Sequence, residues 1–357
     1  MDGAAVPLSE WVSELIGSLL QGAQPDYGVL PSGWLPLDVD TFAMDNSGTA
    51  KDGVGRTYAG VDGYCPLAAY LGTQGMCLQL ALRPGVQHSA CGTELDLRRV
   101  VPMAQRLSAA GPKAPILVRL DAGFDSAALM RELADCNTPG LPRVDWLIKW
   151  NPRKTDTAMV AALLAANQAT RWEHARAGKR WTVWDEKVAI QGLGTTRRVM
   201  RLTERTIDAK GQLLIEPLYV LEGWSTSLEQ RQFNAQALIT LYEGHGEHEQ
   251  FHSEFKTDLD LQRLPSGKFD TNALVCALAA LAMNILRLLG QGGLHGPDAP
   301  VRHQAKRRRI KTVIQELIYR AARLIEHGRR RVLGLGANDR SAQAFVRLHG
   351  ELFAACG

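Results

Sequence analysis

Four polar side chains between Tyr242 and Lys256 recur at spacings that suit one face of a helix. They are the phenol of Tyr242, the imidazole of His245, the carboxylate of Glu249 and the ammonium of Lys256. At about 100° per residue, a continuous helix would place them within a stripe about 60° wide. A carboxylate on this face can hold a metal ion while the amine, about 10 Å further along the axis, holds a phosphate. The spacing predicts a face that handles phosphate esters, with a solvated polar face as the alternative.

Aspartates at the ends of two predicted strands supply partners for Glu249. Asp121 follows the apolar run PILVRL, and a carboxylate at the carboxyl end of a buried strand lies where α/β sheets bind ligands. Asp40 lies in the strand-like run LDVDT, and Asp38, two residues earlier, projects to the same side. The residues alone therefore predict Asp121 and Glu249 as ligands and leave Asp38 and Asp40 as alternatives for the third carboxylate.

Three carboxylates suit phosphoryl transfer on DNA. The reaction needs an activated water or 3′-hydroxyl as nucleophile and a stabilised leaving oxygen, and two Mg²⁺ ions about 4 Å apart provide both. Mg²⁺ prefers oxygen ligands and keeps several of its waters, so a few carboxylates are enough to bind it. We therefore expect a two-metal site that requires neither histidine nor cysteine ligands.

The elements that must position these residues alternate between strands and helices. Three strand-like runs are followed by helix, strand, helix and strand, an order typical of a mixed sheet covered by helices. The predicted fold class is α/β, with the element order expected of a ribonuclease-H-like core, although several α/β folds share that order. The strands are predicted at 34–41, 64–70, 76–82, 115–120 and 144–150, and the helices at 94–110 and 126–136.

The remaining chain predicts an insertion and a tail. Residues 155–177 are expected to be helical, and 181–224 alternate in a way that indicates three or four inserted strands. Helical signal returns over 228–261, an apolar core helix follows over 273–289, and a long helix is expected over 301–331. The predicted domains are an N-terminal helix and linker (1–34), the first part of the core (35–150), an inserted helix with a β-rich subdomain (151–235), the rest of the core with the catalytic helix (236–291) and a basic helical tail (292–357).

Positive charge is concentrated near the C-terminus of the 357-residue chain. The formal net charge is +4, but residues 296–357 hold 13 Lys or Arg against 5 Asp or Glu, which is +8 and leaves −4 for the remainder. This distribution favours a polyanionic partner, with nucleic acid as the first candidate. Arg307, Arg308 and Arg309 are the predicted phosphate contacts, with a solvated helix face as the alternative.

Cysteine usage and apolar runs indicate the compartment. The six cysteines are scattered and form no C-x-x-C, which is typical of a reducing compartment and gives no support for a zinc ribbon or a redox motif. The N-terminus lacks the basic start of a signal peptide, and the apolar run over 273–289 is shorter than the roughly 18–20 residues that span a bilayer. We expect a cytoplasmic, nucleoid-associated protein without membrane contact.

Local sequences around the candidate residues resemble a known family. Tyr242, Glu249 and Lys256 match the Tyr-(2)-Arg-(3)-Glu-(6)-Lys signature of one group of DDE transposases from bacterial insertion sequences. The stretches HGEHEQFHSEFK, VRLDAGF and AKRRRIKTVIQELIYRAARLI resemble the corresponding stretches of that group, and LDVDT is similar to its first-aspartate strand. In that strand the aspartate before Thr or Ser is usually the ligand, which favours Asp40 over Asp38.

The resemblance implies a fold and a function. DDE transposases have a ribonuclease-H-like core with a β-rich insertion between the second aspartate and the glutamate. They use two Mg²⁺ or Mn²⁺ ions to cut and join DNA at the terminal inverted repeats of their own element, and they act as oligomers, commonly dimers, on element ends and target DNA. The implied catalytic and metal-binding residues are Asp40, Asp121 and Glu249, and the implied DNA contacts are Tyr242, His245 and Lys256.

Two departures from the family pattern open other hypotheses. His245 stands where the signature has Arg, and an imidazole that is mostly neutral near pH 7 cannot bind a phosphate as a guanidinium does. Only 39 residues precede Asp40, fewer than the usual N-terminal repeat-binding region. These features favour, as the alternative, a truncated or catalytically impaired remnant that only binds DNA. A more remote alternative is a zinc hydrolase that uses His245, His248 and His252, although their order is not H-E-x-x-H.

Overall fold

The computed structural model describes residues 8–152, 157–165, 172–208, 210–296, 298–301, 303, 305–336 and 339–355. The helices are α1 (Leu8–Ala23), α2 (Thr93–Ala110), α3 (Ala127–Asp135), α4 (Thr157–Ala165), α5 (Ala235–Glu243), α6 (His248–Ser253), α7 (Phe269–Gly293), α8 (Ile310–Val313) and α9 (Ala342–Ala355). Short 3-10 turns lie at Ala122–Phe124 and Gly244–Glu247, and π-helical turns lie at Glu254–Asp258 and Ile314–Ile318.

Strands make up the rest of the regular structure. They are β1 (Leu35–Thr41), β2 (Met44–Asp45), β3 (Gly55–Arg56), β4 (Asp62–Tyr64), β5 (Leu67–Leu71), β6 (Met76–Ala81), β7 (Ile116–Leu120), β8 (Val144–Trp150), β9 (Glu173–Arg176), β10 (Lys179–Ile190), β11 (Gly194–Ile207), β12 (Leu213–Thr226), β13 (Ala322–His327) and β14 (Arg330–Leu335). The order β1, β5, β6, α2, β7, α3, β8 along the chain is the predicted order, and the predicted mixed α/β class is confirmed. The chain divides into two compact units: the first contains Met1–Gly28, Thr41–Gln87 and His248–Gly357, and the second contains Val29–Asp40 and His88–Glu247.

Parallel strands form the centre of the second unit. The order of its strands is β1–β7–β8–β12–β11–β10–β9, in which β1, β7 and β8 run parallel and β12 joins β8 antiparallel. The four strands from β9 to β12 pair antiparallel and form the predicted β-rich insertion. β1, β7 and β8 are almost wholly buried, as expected of parallel strands that are apolar in sequence.

Helix α5 covers one face of these strands. Its Leu238 and Ile239 pack in a buried cluster with Leu117 of β7, Leu147 of β8 and Trp224 of β12. Side chains two residues apart on a strand share a face, so the residues that follow Leu117 at 119 and 121 lie on this same face. The apolar cluster therefore ends where a row of charged residues begins, toward the carboxyl ends of the strands.

Helix α7 is the central helix of the first unit. It has 25 residues and is longer than the apolar run predicted; among the described helices it alone could cross a membrane by length and composition. Its Asn272, Asn284 and Arg287, however, are buried, and the Asn284 amide accepts from Cys77 N–H at 2.8 Å and donates to Cys77 C=O at 2.7 Å. These bonds satisfy the backbone of β6, and they fit the predicted role of α7 as a core helix.

The helix predicted over 155–177 is wrong in its second half. α4 ends at Ala165, residues 166–171 lie outside the described part of the chain, and Glu173–Arg176 is strand β9. β9 pairs antiparallel with the start of β10 across the Gly178 turn, where φ is +69°. A glycine in this left-handed conformation starts a hairpin instead of continuing a helix.

The long helix predicted over 301–331 is also wrong. The α-helical and π-helical turns of this region end at Ile318, and β13 and β14 form an antiparallel hairpin. The hairpin turns at Gly328 and Arg329, whose φ values of +56° and +65° are incompatible with a right-handed helix. The tail is therefore a short helical segment, a hairpin and helix α9.

Candidate active site

The carboxyl ends of β1 and β7 bring Asp40 and Asp121 to neighbouring positions. The two parallel strands are aligned so that Val39 pairs with Leu120, and the next residues are Asp40 and Asp121. Asp121 keeps an extended backbone, with φ −77° and ψ 180°, so the alignment continues through it. Adjacent strands lie about 4.8 Å apart. Both side chains are half-buried at this edge, which is where the sequence predicts two of the three carboxylates.

A tight turn fixes the direction of the Asp121 carboxylate. Its Oδ1 accepts a hydrogen bond from Gly123 N–H at 2.9 Å, within the 3-10 turn that follows β7. A Cβ at position 123 would lie 3.0 Å from this oxygen and 3.2 Å from Ser89, so glycine leaves room for both side chains. The N-terminus of α3 is capped separately, by Ser126, which accepts from Ala128 N–H at 3.2 Å.

Asp38 occupies a different environment from Asp40. It is buried, and Arg119 donates from Nε to Oδ1 at 2.6 Å and from Nη2 to Oδ2 at 2.7 Å. His245 Nδ1 lies 2.8 Å from Oδ1 and donates to it. Burial alone would raise the pKa of Asp38, but Arg119 and His245 hold that pKa well below its usual range. Asp38 is thus a permanently ionised structural group, which leaves Asp40 as the aspartate of β1 suited to bind a metal.

Arg119 is the residue that the sequence-based prediction missed. It is 2% exposed and, besides Asp38, it donates from Nη1 to the carbonyl oxygen of Leu241 at 2.9 Å. One guanidinium therefore joins β7, β1 and the end of α5. The available signal was a single arginine inside the apolar strand ILVRL, because a buried cation requires an anionic partner.

The predicted continuous helix through the signature residues is wrong. α5 ends at Glu243, a 3-10 turn covers Gly244–Glu247, α6 starts at His248, and a π-helical turn begins at Glu254. The 3-10 and π turns advance by other angles than the 100° of an α-helix. The single 60° stripe therefore does not form.

His245 is 3% exposed, in contrast to the predicted direct contact with DNA. It lies in the 3-10 turn, bound to Asp38, with its ring centroid 5.5 Å from that of Tyr242. The imidazole is shorter than the arginine of the family signature and is engaged inside the second unit. Its position fits a residue that holds the end of α5 against β1.

Tyr242 lies between the apolar cluster and the carboxylates. Its ring is half-buried and tilted against Trp224, with centroids 6.1 Å apart. Burial and the negative charges of Asp121, Asp40 and Asp38 raise the pKa of Tyr242 far above its usual value. The phenol therefore stays protonated and can act as a hydrogen-bond donor beside the carboxylate edge.

In the first unit, helix α6 presents Glu249 to solvent and its histidines to the interior. His248 and His252 are buried, with ring centroids 4.9 Å apart, and His252 stacks on Phe42 at 4.3 Å. Lys256, in the π-helical turn, lies with Nζ 5.8 Å from the centre of the Phe42 ring. The aromatic inner face fixes the helix while Glu249 remains exposed.

Glu254, one turn beyond Glu249, is fully buried and holds two arginines. Arg287 of α7 donates to its Oε2, and Arg307 donates to its Oε1 at 2.7 Å. The backbone N–H of Ile310 also donates to Oε1, at 3.1 Å. Phe251 lies against both guanidinium groups, 5.1 Å from that of Arg287 and 4.7 Å from that of Arg307.

The first arginine triplet, Arg307–Arg309, is engaged within the protein throughout. Arg308 donates to the carbonyl oxygens of Leu294 and His303 at 3.0 and 2.6 Å. Arg309 donates to Asp258 at 2.8 Å and also to the hydroxyls of Ser253 and Thr257, both at 3.0 Å. Each guanidinium of the triplet thus already has protein acceptors, and the contact of these arginines with phosphates stays a prediction.

The donor set at the β1–β7 edge fits a hard divalent cation. Asp40 and Asp121 provide carboxylate oxygens, which Mg²⁺ and Mn²⁺ prefer, on two rigid strands. Asp38 does not compete because both of its oxygens accept from Arg119 and His245. Of the three histidines considered for zinc, His245 is bound through Nδ1 to Asp38.

Comparisons with known proteins identify relatives. Among solved structures, the chain is similar to a piggyBac transposase in a synaptic complex with hairpin DNA, determined by cryo-electron microscopy. The two share 12% sequence identity with a TM-score of 0.37, over 80% of this chain and 52% of that chain, so this chain spans about half the length of that protein. No curated protein matches the sequence. The family described as "Transposase DDE domain group 1" matches residues 9–355, nearly the whole chain. The chain therefore belongs to the family of DDE transposases.

Proposed function

We propose that this protein catalyses metal-dependent cleavage and transfer of DNA strands at the terminal inverted repeats of an insertion sequence. The observation that supports this most directly is the alignment of Asp40 and Asp121 at the carboxyl ends of neighbouring parallel strands. Ligands of α/β sheets bind at this edge. Membership of the DDE transposase family supplies the reaction class.

In this proposal Asp40, Asp121 and Glu249 are the three catalytic carboxylates and hold two Mg²⁺ or Mn²⁺ ions. When bound, such ions activate the attacking hydroxyl and stabilise the leaving oxygen. The strand ends orient the two aspartates, and α6 carries the exposed glutamate. Because the two aspartates lie on rigid strands, they need little rearrangement to bind an ion.

Other side chains bind and orient the DNA. The protonated phenol of Tyr242 donates a hydrogen bond to a phosphate oxygen near the carboxylate edge. Lys256 provides a cation further along the strand, and its ammonium contributes affinity that falls as salt concentration rises. His245 takes no phosphate; with Arg119 and Asp38 it holds the end of α5 in place.

The partners follow from the same function. We propose that the protein acts as a homodimer on double-stranded DNA, binding element ends and target DNA, in the cytoplasm with the nucleoid. Dimers match the two ends of one element, because a twofold assembly presents two equivalent sites.

Cleavage of DNA that carries the natural ends of the element tests the proposal. The full chain with Mg²⁺ or Mn²⁺ should cut such duplexes, and Glu249→Gln or Asp121→Asn should abolish cutting while DNA affinity stays near that of the wild type. Glu247→Gln is the matched control, because Glu247 is an exposed acid two residues from Glu249. If Glu247→Gln and Glu249→Gln lose cleavage activity equally, the assignment of Glu249 as a catalytic carboxylate is refuted.

The other two functions give different results in the same assays. A DNA-binding remnant binds the element ends but never cuts them with either ion. A zinc hydrolase retains stoichiometric Zn²⁺ through purification and loses it in the His248→Ala/His252→Ala variant; the adjacency of these two rings is the observation behind this candidate.

A further inference from the structure

The hairpin formed by β13 and β14 is exposed over most of its surface. All six residues of β13 and the first four of β14 are exposed, including Leu324 (62%) and Val332 (51%). A two-stranded hairpin by itself is marginally stable in water. Its sequence nevertheless pairs strand to strand without a register shift from Ala322↔Leu335 to His327↔Arg330.

Charge on the hairpin is concentrated at its tip. Residues 322–335 contain four arginines and one glutamate, a formal charge of +3. Three of the arginines, Arg329, Arg330 and Arg331, are consecutive and form the second arginine triplet, at the turn between the strands. Arg331 pairs with Glu326 at 2.9 Å. Within the described part of the chain, the side chains of Arg329 and Arg330 have no ion pair or hydrogen bond.

The turn itself places an arginine where glycine or asparagine is usual. Gly328 and Arg329 both have positive φ, +56° and +65°, as a two-residue type I′ turn requires. A non-glycine side chain is disfavoured in the left-handed region, because its Cβ crowds the following carbonyl oxygen. The sequence therefore accepts a less favourable backbone and keeps a positive charge at the turn of an exposed hairpin.

We propose that the tip of this hairpin binds the phosphate backbone of double-stranded DNA, with the ribbon lying in the major groove. This inference rests on the proposed function. The major groove admits a two-stranded β-ribbon, and one guanidinium group can donate two parallel hydrogen bonds to the oxygens of one phosphate. The hairpin thus adds to the basic tail two exposed arginines, Arg329 and Arg330, that have no acid partner in the described part of the chain.

A second copy of the chain is a weaker candidate for the same surface. Two such tips would bring +3 against +3 in a symmetric contact, because a twofold interface places the same patch on both partners. Like charges repel in such a contact, whereas the DNA backbone carries a high density of negative charge. Charge complementarity therefore selects DNA.

The test removes the two unpaired charges while keeping the hairpin. Arg329→Gly fits the positive φ, and Arg330→Gln keeps a long side chain on the strand. The double variant, in the full chain, should bind a fluorescent duplex of unrelated sequence more weakly than the wild type. The slope of log K against log salt concentration should fall in magnitude by about 0.9 for each phosphate that the variant no longer neutralises.

Two further variants serve as matched comparisons. Glu326→Gln/Arg331→Gln removes one charge of each sign and should leave both affinity and salt slope unchanged. Glu326→Gln alone frees Arg331 and should tighten binding. If the Arg329→Gly/Arg330→Gln variant binds DNA with the affinity and salt slope of the wild type, the inference is overturned. It is also overturned if sedimentation shows that the variant changes its oligomeric state while its DNA affinity is unchanged.

Failure of the inference is distinguishable from failure of the proposed function. If the Arg329→Gly/Arg330→Gln variant binds DNA as the wild type does, and the wild type cuts element ends, only the role of the hairpin is refuted. If the wild type binds no duplex, both are refuted.

Discussion

Two runs of three arginines in the C-terminal region have the same composition and opposite surroundings. In Arg307–Arg309, every guanidinium has protein acceptors: Glu254 for Arg307, backbone carbonyl oxygens for Arg308 and Asp258 for Arg309. In Arg329–Arg331, only Arg331 pairs with an acid of the described chain, the exposed Glu326. The first triplet attaches the tail to α6 and α7, and the second projects from a hairpin.

Whether the arginines of a basic run are bonded within the protein or exposed depends on the acids near them. Glu254 and Asp258 lie in the π-helical turn, with side chains 0% and 1% exposed, and a buried carboxylate must be paired. The arginines that reach them are therefore held by acids of the protein itself. Composition alone does not distinguish the two triplets, whereas their surroundings do: the first is bonded within the protein, and the second lies on an exposed hairpin.

The largest expected effect is that of replacing Glu254, the buried acid that binds Arg307 of the first triplet and Arg287 of α7. Glu254→Gln leaves Arg287 and Arg307 without their anion in a buried site, and breaking a buried pair costs about 3–5 kcal/mol. Chemical denaturation measures this loss, and Glu326→Gln in the hairpin is the matched control. Equal unfolding free energies for the two variants would mean that the triplets do not differ in the way described.

A smaller loss is expected for Arg309→Gln. Asp258 keeps the hydrogen bond from Lys311 N–H at 3.0 Å but loses the guanidinium, and the pair is half-exposed on the arginine side. We expect a loss of about 1–2 kcal/mol in the free energy of unfolding. Arg330→Gln should change that free energy by less than about 0.5 kcal/mol. Thermal unfolding of both variants in the same buffer checks the difference.

The acid dependence of stability separates the triplets further. Burial alone would raise the pKa of Asp258, but the hydrogen bonds from Arg309 and Lys311 lower that pKa below its usual value. A carboxylate with a lowered pKa stabilises the fold above its unfolded pKa, and this stabilisation is lost as pH falls through the folded pKa. The difference between wild type and Arg309→Gln should therefore be complete near neutral pH and shrink below about pH 4. A difference that stays constant throughout an acid titration would contradict the pairing.

The smallest effect is expected in the exposed pair of the hairpin. Glu326 and Arg331 have side chains 64% and 79% exposed, so the pair is well solvated. Glu326→Gln/Arg331→Gln should change the free energy of unfolding by less than about 0.5 kcal/mol. Denaturation at two salt concentrations should give the same value, because solvent already screens the pair.

The core of the second unit could be predicted because its signals are local. The predicted bounds of β8 match the structure, and those of β1 and β7 agree within one residue, since short apolar runs end at turn residues or at aspartates. The position of Asp121 at a strand end followed from the same pattern. The neighbouring alignment of Asp40 depends on a register between segments far apart in the chain, which no local pattern reveals.

The missed features are those that depend on distant partners. The pair between Asp38 and Arg119 joins residues 81 positions apart. The 3-10 turn before α6 and the π-helical turn after it follow no local pattern of the sequence, and Gly244 and Gly246 only mark where a helix is weak. The hairpin sequence is compatible with both helical and strand periodicity. The positive φ values at Gly328 and Arg329 exclude a continuous helix, and the sequence pattern does not reveal them.

The bond between Asp38 and Arg119 has a consequence for folding. The two residues are directly paired across β1 and β7, so the bond forms in only one alignment of these strands. Sliding β1 by one residue would turn Asp40 to the opposite face and leave two buried charges unpaired, at a cost of several kcal/mol. Apolar strands alone can pair in several alignments. This one ion pair makes the misaligned sheet unstable, and folding therefore selects the register that brings the two aspartates together at the sheet edge.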